Sequence, residues 1–133
     1  MATFHLQIVT PDRRLFDGEA EKIIVRTVTG DVCILARHID YVAPLGIGEA
    51  RVTDAEGNTR IAACSGGMIG VSSNEVRVMA TTFEWEEDID LARAEKARDE
   101  AQRKLEALTR ADKEYAIVEA KLKRAVARIG VKG

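Results

Sequence analysis

A change of period near residue 88 limits what this chain can fold into more than any other feature. From there to Gly130 the sequence holds no glycine or proline. The run is filled with Ala, Glu, Lys, Arg, Gln and Leu, the residues that lose least on entering a helix. Ala94, Ala97, Ala101, Leu105 and Leu108 form one apolar stripe at helical spacing. Ala111, Tyr115, Val118, Leu122, Ala125 and Ile129 form a second, and both fit one buried face of a helix. Thr109 and Asp112 between them have the spacing of a capping box. The pattern predicts a helical hairpin over 88–108 and 111–129, with Gly130 as its C-terminal stop.

Before that point the chain alternates. HLQIV, EKIIVRTV, DVCIL, EARVT, TRIAA, MIGVSS and EVRVMATT are short runs rich in β-branched residues. TPD, DG, TGD, EGN, SGG and SSN punctuate them. Short strands at this spacing predict an antiparallel β-sandwich or barrel. At EGN, Gly57 and Asn58 are the residues able to take positive φ in a hairpin turn. The fold class is therefore α+β, with a β-sandwich over 1–85 and a helical hairpin over 86–133.

Length and composition set further bounds. One full domain, or one domain plus a small appendage, is what 133 residues support. A net charge of −2 gives no global basis for binding nucleic acid. No apolar run is long enough to cross a membrane, and MATFHLQIV lacks the basic and apolar regions of a signal peptide. The expectation is a cytosolic chain whose two cysteines, Cys33 and Cys64, are small buried residues.

Charge is divided unevenly along the chain. Residues 1–87 carry 8 basic and 13 acidic side chains, whereas 110–133 carry 7 and 3. Lys113, Lys121, Arg124, Arg128 and Lys132 fall in one sector of the second predicted helix. Such a face is either solvated or matched to an acidic partner. The Ala-rich seam of the first helix buries little apolar area. It suits a hairpin packed permanently on the β domain, or one that opens.

A catalyst is not evident. There is no GxxxxGK[ST] phosphate loop, and SGGMIG lies between strands rather than opening a helix. It is better read as a turn or bulge. Ser65 lacks a nucleophile-elbow context. Glu84, Glu86, Glu87, Asp88 and Asp90 lack the alternation of a calcium loop. They suit a charged linker and a helix N-terminus. His5 and His38 are isolated, and no metal site is expected.

Several motifs, in order over essentially the whole chain, resemble the epsilon subunit of bacterial F-type ATP synthases. They are IVTPDRRLFDGEAEKIIVRTVTGDVCIL, HIDYVAPLGIGEARV, AACSGGMIGVSSNEVRVMA, EWEEDIDLARAEKA and LKRAVARI. CILARH departs from the family's GILPGH-like turn, and IDY from its IPL-like continuation. Ala36 and Arg37 are not expected to supply the φ values of Pro and Gly there.

The resemblance implies a non-catalytic central-stalk subunit. Its sandwich would bind the gamma subunit and the c-ring. Its hairpin would either fold on the sandwich or extend towards the catalytic alpha and beta subunits and inhibit ATP hydrolysis. It would lie peripherally on the cytoplasmic face of the bacterial cell membrane, touching the membrane only through the complex, with no nucleic-acid partner. Within IDLARA, Ile89, Asp90, Arg93 and Ala94 match a family motif, I/L-D-x-x-R-A, that binds ATP in some members. Glu84 matches an associated acidic position, and Arg124 and Arg128 match its basic partners in the second helix. No cofactor is required in such a subunit; ATP would be a regulatory ligand. The alternatives are a stand-alone ATP-sensing module, and a plain helix start in which Asp90 and Arg93 form an i,i+3 pair.

Overall fold

The computed structural model describes residues 2–132. Seven strands form the first part: β1 (Phe4–Val9), β2 (Arg14–Thr27), β3 (Gly30–Leu35), β4 (Tyr41–Pro44), β5 (Ile47–Asp54), β6 (Thr59–Ser72) and β7 (Glu75–Trp85). A single turn of 3-10 helix, Glu86–Asp88, leads into α1 (Leu91–Glu106) and α2 (Tyr115–Lys132). Sandwich and hairpin are both present. The seven strands are not the seven runs that the alternation suggested.

TRIAA and MIGVSS are one strand, β6. Gly66 and Gly67, at φ 67 and 102, bend it without ending it. A Cβ on Gly67 would lie 1.9 Å from the Met79 carbonyl oxygen, so no side chain fits there. The DG at 17–18 is not a turn. Asp17 and Gly18 sit inside β2, opposite Gln7 and Leu6 of β1. YVAP forms β4, a short strand on β6 that the pattern did not reveal. At the EGN hairpin only Gly57 has positive φ, at 87; Asn58 does not.

The long strands β2 and β6, bent between layers, make one continuous sheet fold back on itself. Its pairing order is β1-β7-β6-β5-β2-β3, with β4 on β6 and a further β1–β2 pairing that closes the ring. The β1–β7 pair is parallel, an exception to the antiparallel expectation. Phe4, Leu6 and Ile8 of β1, Ile23 and Val25 of β2, and Val76 and Val78 of β7 alternate into the core. Cys64 is buried there, and burial pushes its thiol up to about 12. Cys33 is exposed on β3, contrary to the expectation that both cysteines are buried.

At CILARH a turn forms without glycine, contrary to the expectation for Arg37. Arg37 itself adopts φ 64. Asn74 Oδ1 accepts its backbone N–H at 2.8 Å, and Asn74 Nδ2 donates to the Thr3 carbonyl at 2.9 Å. One side chain thus ties the β3–β4 turn and the start of β1 to the β6–β7 turn.

In the hairpin, Ala94 and Ala101 of α1 and Val118, Ala125 and Val131 of α2 are buried. α2 lies on β5, β6 and the 3-10 turn, and α1 packs against α2. The helix limits differ from expectation. The Asp112 carboxylate accepts the Thr109 N–H at 2.8 Å. That bond closes a turn in the connection, and α2 starts only at Tyr115, which leaves Ala111 outside it. Gly130 does not stop α2, which continues through it to Lys132.

Candidate functional site

The site forms where strand, turn and helix meet. Alternation along the end of β7 turns Phe83 and Trp85 inward, leaving Glu84 half-buried beside the hairpin. The 3-10 turn then brings the chain round, and Asp90 caps α1, its Oδ1 accepting the Arg93 backbone N–H at 3.1 Å. This cap satisfies one of the free donors at the helix start. An ion pair between the Asp90 and Arg93 side chains is not what the structure shows; Asp90 Oδ1 accepts from the Arg93 backbone instead, and no such ion pair occurs among the described residues.

Across from this turn, Arg128 of α2 reaches Glu84, with Nε donating to Oε1 at 2.7 Å. Glu84, Asp90, Arg93, Ala94 and Arg128 line one cleft of about 440 Å³, together with Thr82, Phe83, Asp88 and Ala97. That volume falls in the range of about 300–1,000 Å³ common for small-molecule sites. Five of the seven residues that the resemblance singles out are thus gathered, from three elements, onto one surface. Ile89 and Arg124 are not. Ile89 is 4% exposed and packs with Ala63 and Val131. Arg124 faces an adjoining cleft of about 290 Å³ between the helices, beside Lys104, Lys121 and Glu100. Ala97 and Arg128 line both clefts, so the two are continuous.

The five basic residues do not share one free face. Lys113 lies in the connection before α2. Lys121, Arg124 and Arg128 face the cleft between α1 and α2. Lys132 Nζ donates to the Glu86 carbonyl at 3.1 Å. The acidic linker is tied in the same way. Glu87 pairs with Arg60 of β6, whose guanidinium also lies 3.8 Å from the Trp85 ring centre. Glu87's own backbone N–H, then Arg60, hold its carboxyl below the usual value. Among the described residues no three His, Cys, Asp or Glu side chains are placed to share a metal ion. The roles of Arg60 and Phe83 had no local sequence signal, because the first depends on β6 pairing with β7 and the second on where the hairpin docks.

A guanidinium, a helix N-terminus and carboxylates around an open cleft suit the binding of a polyanion that also carries hydrogen-bond donors. The molecule is of the binding class, a sandwich with a docked hairpin and a ligand-sized cleft between them. It belongs to the ATP synthase delta/epsilon chain family. The beta-sandwich domain of that family matches residues 3–86 and its long alpha-helix domain residues 87–133. An ATP synthase epsilon chain from Ruminococcus albus is 40% identical over 98% of this chain and 97% of its own. One from Alkaliphilus oremlandii is 45% identical over 80% and 78%. A chain in the Euglena gracilis mitochondrial ATP synthase, OSCP/F1/c-ring, superimposes with a TM-score of 0.82 at 25% identity, covering 96% of this chain and 79% of that one. A chain of the Tetrahymena thermophila mitochondrial central stalk/c-ring shares the fold, at a TM-score of 0.60 and 13% identity.

Proposed function

We propose that this chain works in the rotor of an F-type ATP synthase, with the sandwich as its mount and the hairpin as a nucleotide-controlled inhibitor of ATP hydrolysis. The family and the Euglena assembly support the first part, with a gamma subunit and c-ring as neighbours. The outward face of β4, β6 and β7 supports it too. Val42, Met68 and Met79 are 69%, 38% and 47% exposed there, and Met68 and Met79 are direct cross-strand partners. An apolar face of that kind fits a protein partner.

The gathering of Glu84, Asp90, Arg93, Ala94 and Arg128 on one cleft carries the second part. ATP is the ligand this reading assigns. Arg93 and Arg128 offer forked donors to phosphate oxygens, and the α1 N-terminus adds its positive end. Carboxylates at the same site accept from the adenine amine or ribose. Because Arg128 belongs to α2 and Arg93 to α1, a ligand bridging them stabilises the docked hairpin selectively. Arg124 and Arg128 are half-buried in this state, and Lys121 lines the same cleft from an exposed position. Opening the hairpin would release Arg128 from Glu84 and uncover Arg124 for an acidic partner on the catalytic subunits, so nucleotide and inhibitory partner compete. Catalysis itself belongs to those other subunits.

Calorimetry of the isolated chain tests this. Arg93→Ala is expected to weaken ATP binding at least about tenfold, as expected for loss of a charge-assisted phosphate contact. No binding by the unmutated chain at millimolar ATP would refute the nucleotide reading.

A further inference from the structure

The motif IDLARA reaches the cleft through Asp90, Arg93 and Ala94. Its first residue does something else. Ile89 turns away from the cleft and is buried with Ala63 of β6 and Val131 of the last turn of α2, flanked by Ile61. This cluster is separate from the sandwich core and joins three chain segments: a strand, the turn before α1, and the end of α2.

The same last turn is fastened again by Lys132, whose Nζ donates to the Glu86 carbonyl at 3.1 Å. Gly130 has open space where a Cβ would stand and lies within the helix. The turn beyond it is held from outside by the Val131 and Lys132 contacts. A glycine two residues from a helix's end favours fraying. Val131 lies one helical turn beyond Arg128 on the same side of α2. Ile89 lies immediately before Asp90. Each wall of the cleft thus carries its polar group next to one half of an apolar contact.

We propose that Val131 is a positioning residue for the nucleotide cleft: seated on Ile89 and Ala63, it locks the last turn of α2 to the turn that carries Asp90, and so holds Arg128 opposite Asp90 and Arg93. This rests on the nucleotide reading given above. Without the contact, every side chain in the cleft keeps its chemistry and loses its placement. By linkage, a nucleotide that bridges the walls protects the α2 terminus, although it touches neither Val131 nor Ile89.

The test uses the full chain, Val131→Ser and Val131→Ile. Amide exchange of residues 128–132 is measured without nucleotide, and ATP binding by calorimetry. The serine variant is expected to exchange about tenfold faster there and to bind ATP about tenfold more weakly, within the usual range of coupling between sites. The isoleucine variant is expected to stay within about threefold of the unmutated chain, because apolar volume is retained. The unfolding midpoint of the sandwich should be unchanged in both, which separates positioning from general destabilisation. A serine variant that exchanges and binds normally overturns the proposal. So does one that exchanges faster but binds ATP with unaltered affinity. Should the unmutated chain bind no ATP, the nucleotide reading falls first and the positioning role falls with it, a result visible before any variant is compared.

Discussion

The Glu84–Arg128 pair is the polar bond that ties α2 to β7, and its strength can be worked out from the structure. At 2.7 Å the gross Coulomb attraction is about 6 kcal/mol at an effective dielectric of about 20. Most of that is offset by desolvation and by fixing two long side chains. The side chains are 31% and 35% exposed, so the pair is neither free on the surface nor fully buried. A net contribution of about 1 kcal/mol follows, at the upper end of measured exposed pairs. That corresponds to about a fivefold change in the ratio of docked to undocked hairpin. The assay is a double-mutant cycle with Glu84→Gln, Arg128→Gln and the double variant, read by native-state amide exchange across α2 in the nucleotide-free chain. The expected coupling of about 1 kcal/mol should shrink at molar salt, where the screening length falls to about 3 Å. A coupling below about 0.3 kcal/mol, the level at which independent sites add, would refute the claim that this pair helps hold the hairpin down.

Three further outcomes follow from named contacts. Asn74→Ala removes two hydrogen bonds that tie separate turns, and is expected to lower stability by about 2 kcal/mol at roughly 1 kcal/mol per bond, measured by chemical denaturation. Glu87 has a folded value below its unfolded one, so its contribution is present above about pH 4.3 and is lost as pH falls through the lowered value. Its side chain is 57% exposed, so Glu87→Gln should remove only a few tenths of a kcal/mol, visible as a flatter acid limb in thermal melts. In an assembled synthase, replacing Lys121, Arg124 and Arg128 together with Ala should raise ATP hydrolysis without loss of assembly; unchanged hydrolysis would mean that these residues do not reach an inhibitory partner.

How much of this was legible in the sequence depended on the range of the interaction. The helices announced themselves because their stripes are local and periodic. Their ends did not. Asp112 looks like half of a capping box but closes a turn, and Gly130 looks like a stop until Val131 finds Ile89. Strand limits failed for a related reason. Gly66 and Gly67 carry the mark of a turn, yet positive φ at both lets β6 bend from one layer to the other and keep pairing with β7. Arg37 stands where the family has glycine, and it takes the left-handed conformation because Asn74, distant in sequence, holds its N–H. In the cleft, Asp90 and Arg93 could be found from a local motif, since one helix turn places them. The Glu84–Arg128 pair and the Arg60 stack on Trp85 depend on where the hairpin lands, which no window of sequence encodes.

The central claim is that ATP and the docked hairpin stabilise each other. It is tested most directly by amide exchange across α2 in the isolated chain, with and without ATP. The account predicts protection that rises with the ratio of ATP to its dissociation constant, reaching about a hundredfold at a hundred times that constant. The gain should extend to Val131 and Lys132, and Arg93→Ala should remove it. Identical α2 exchange at all nucleotide concentrations, in a chain that calorimetry shows to be saturated with ATP, would contradict it.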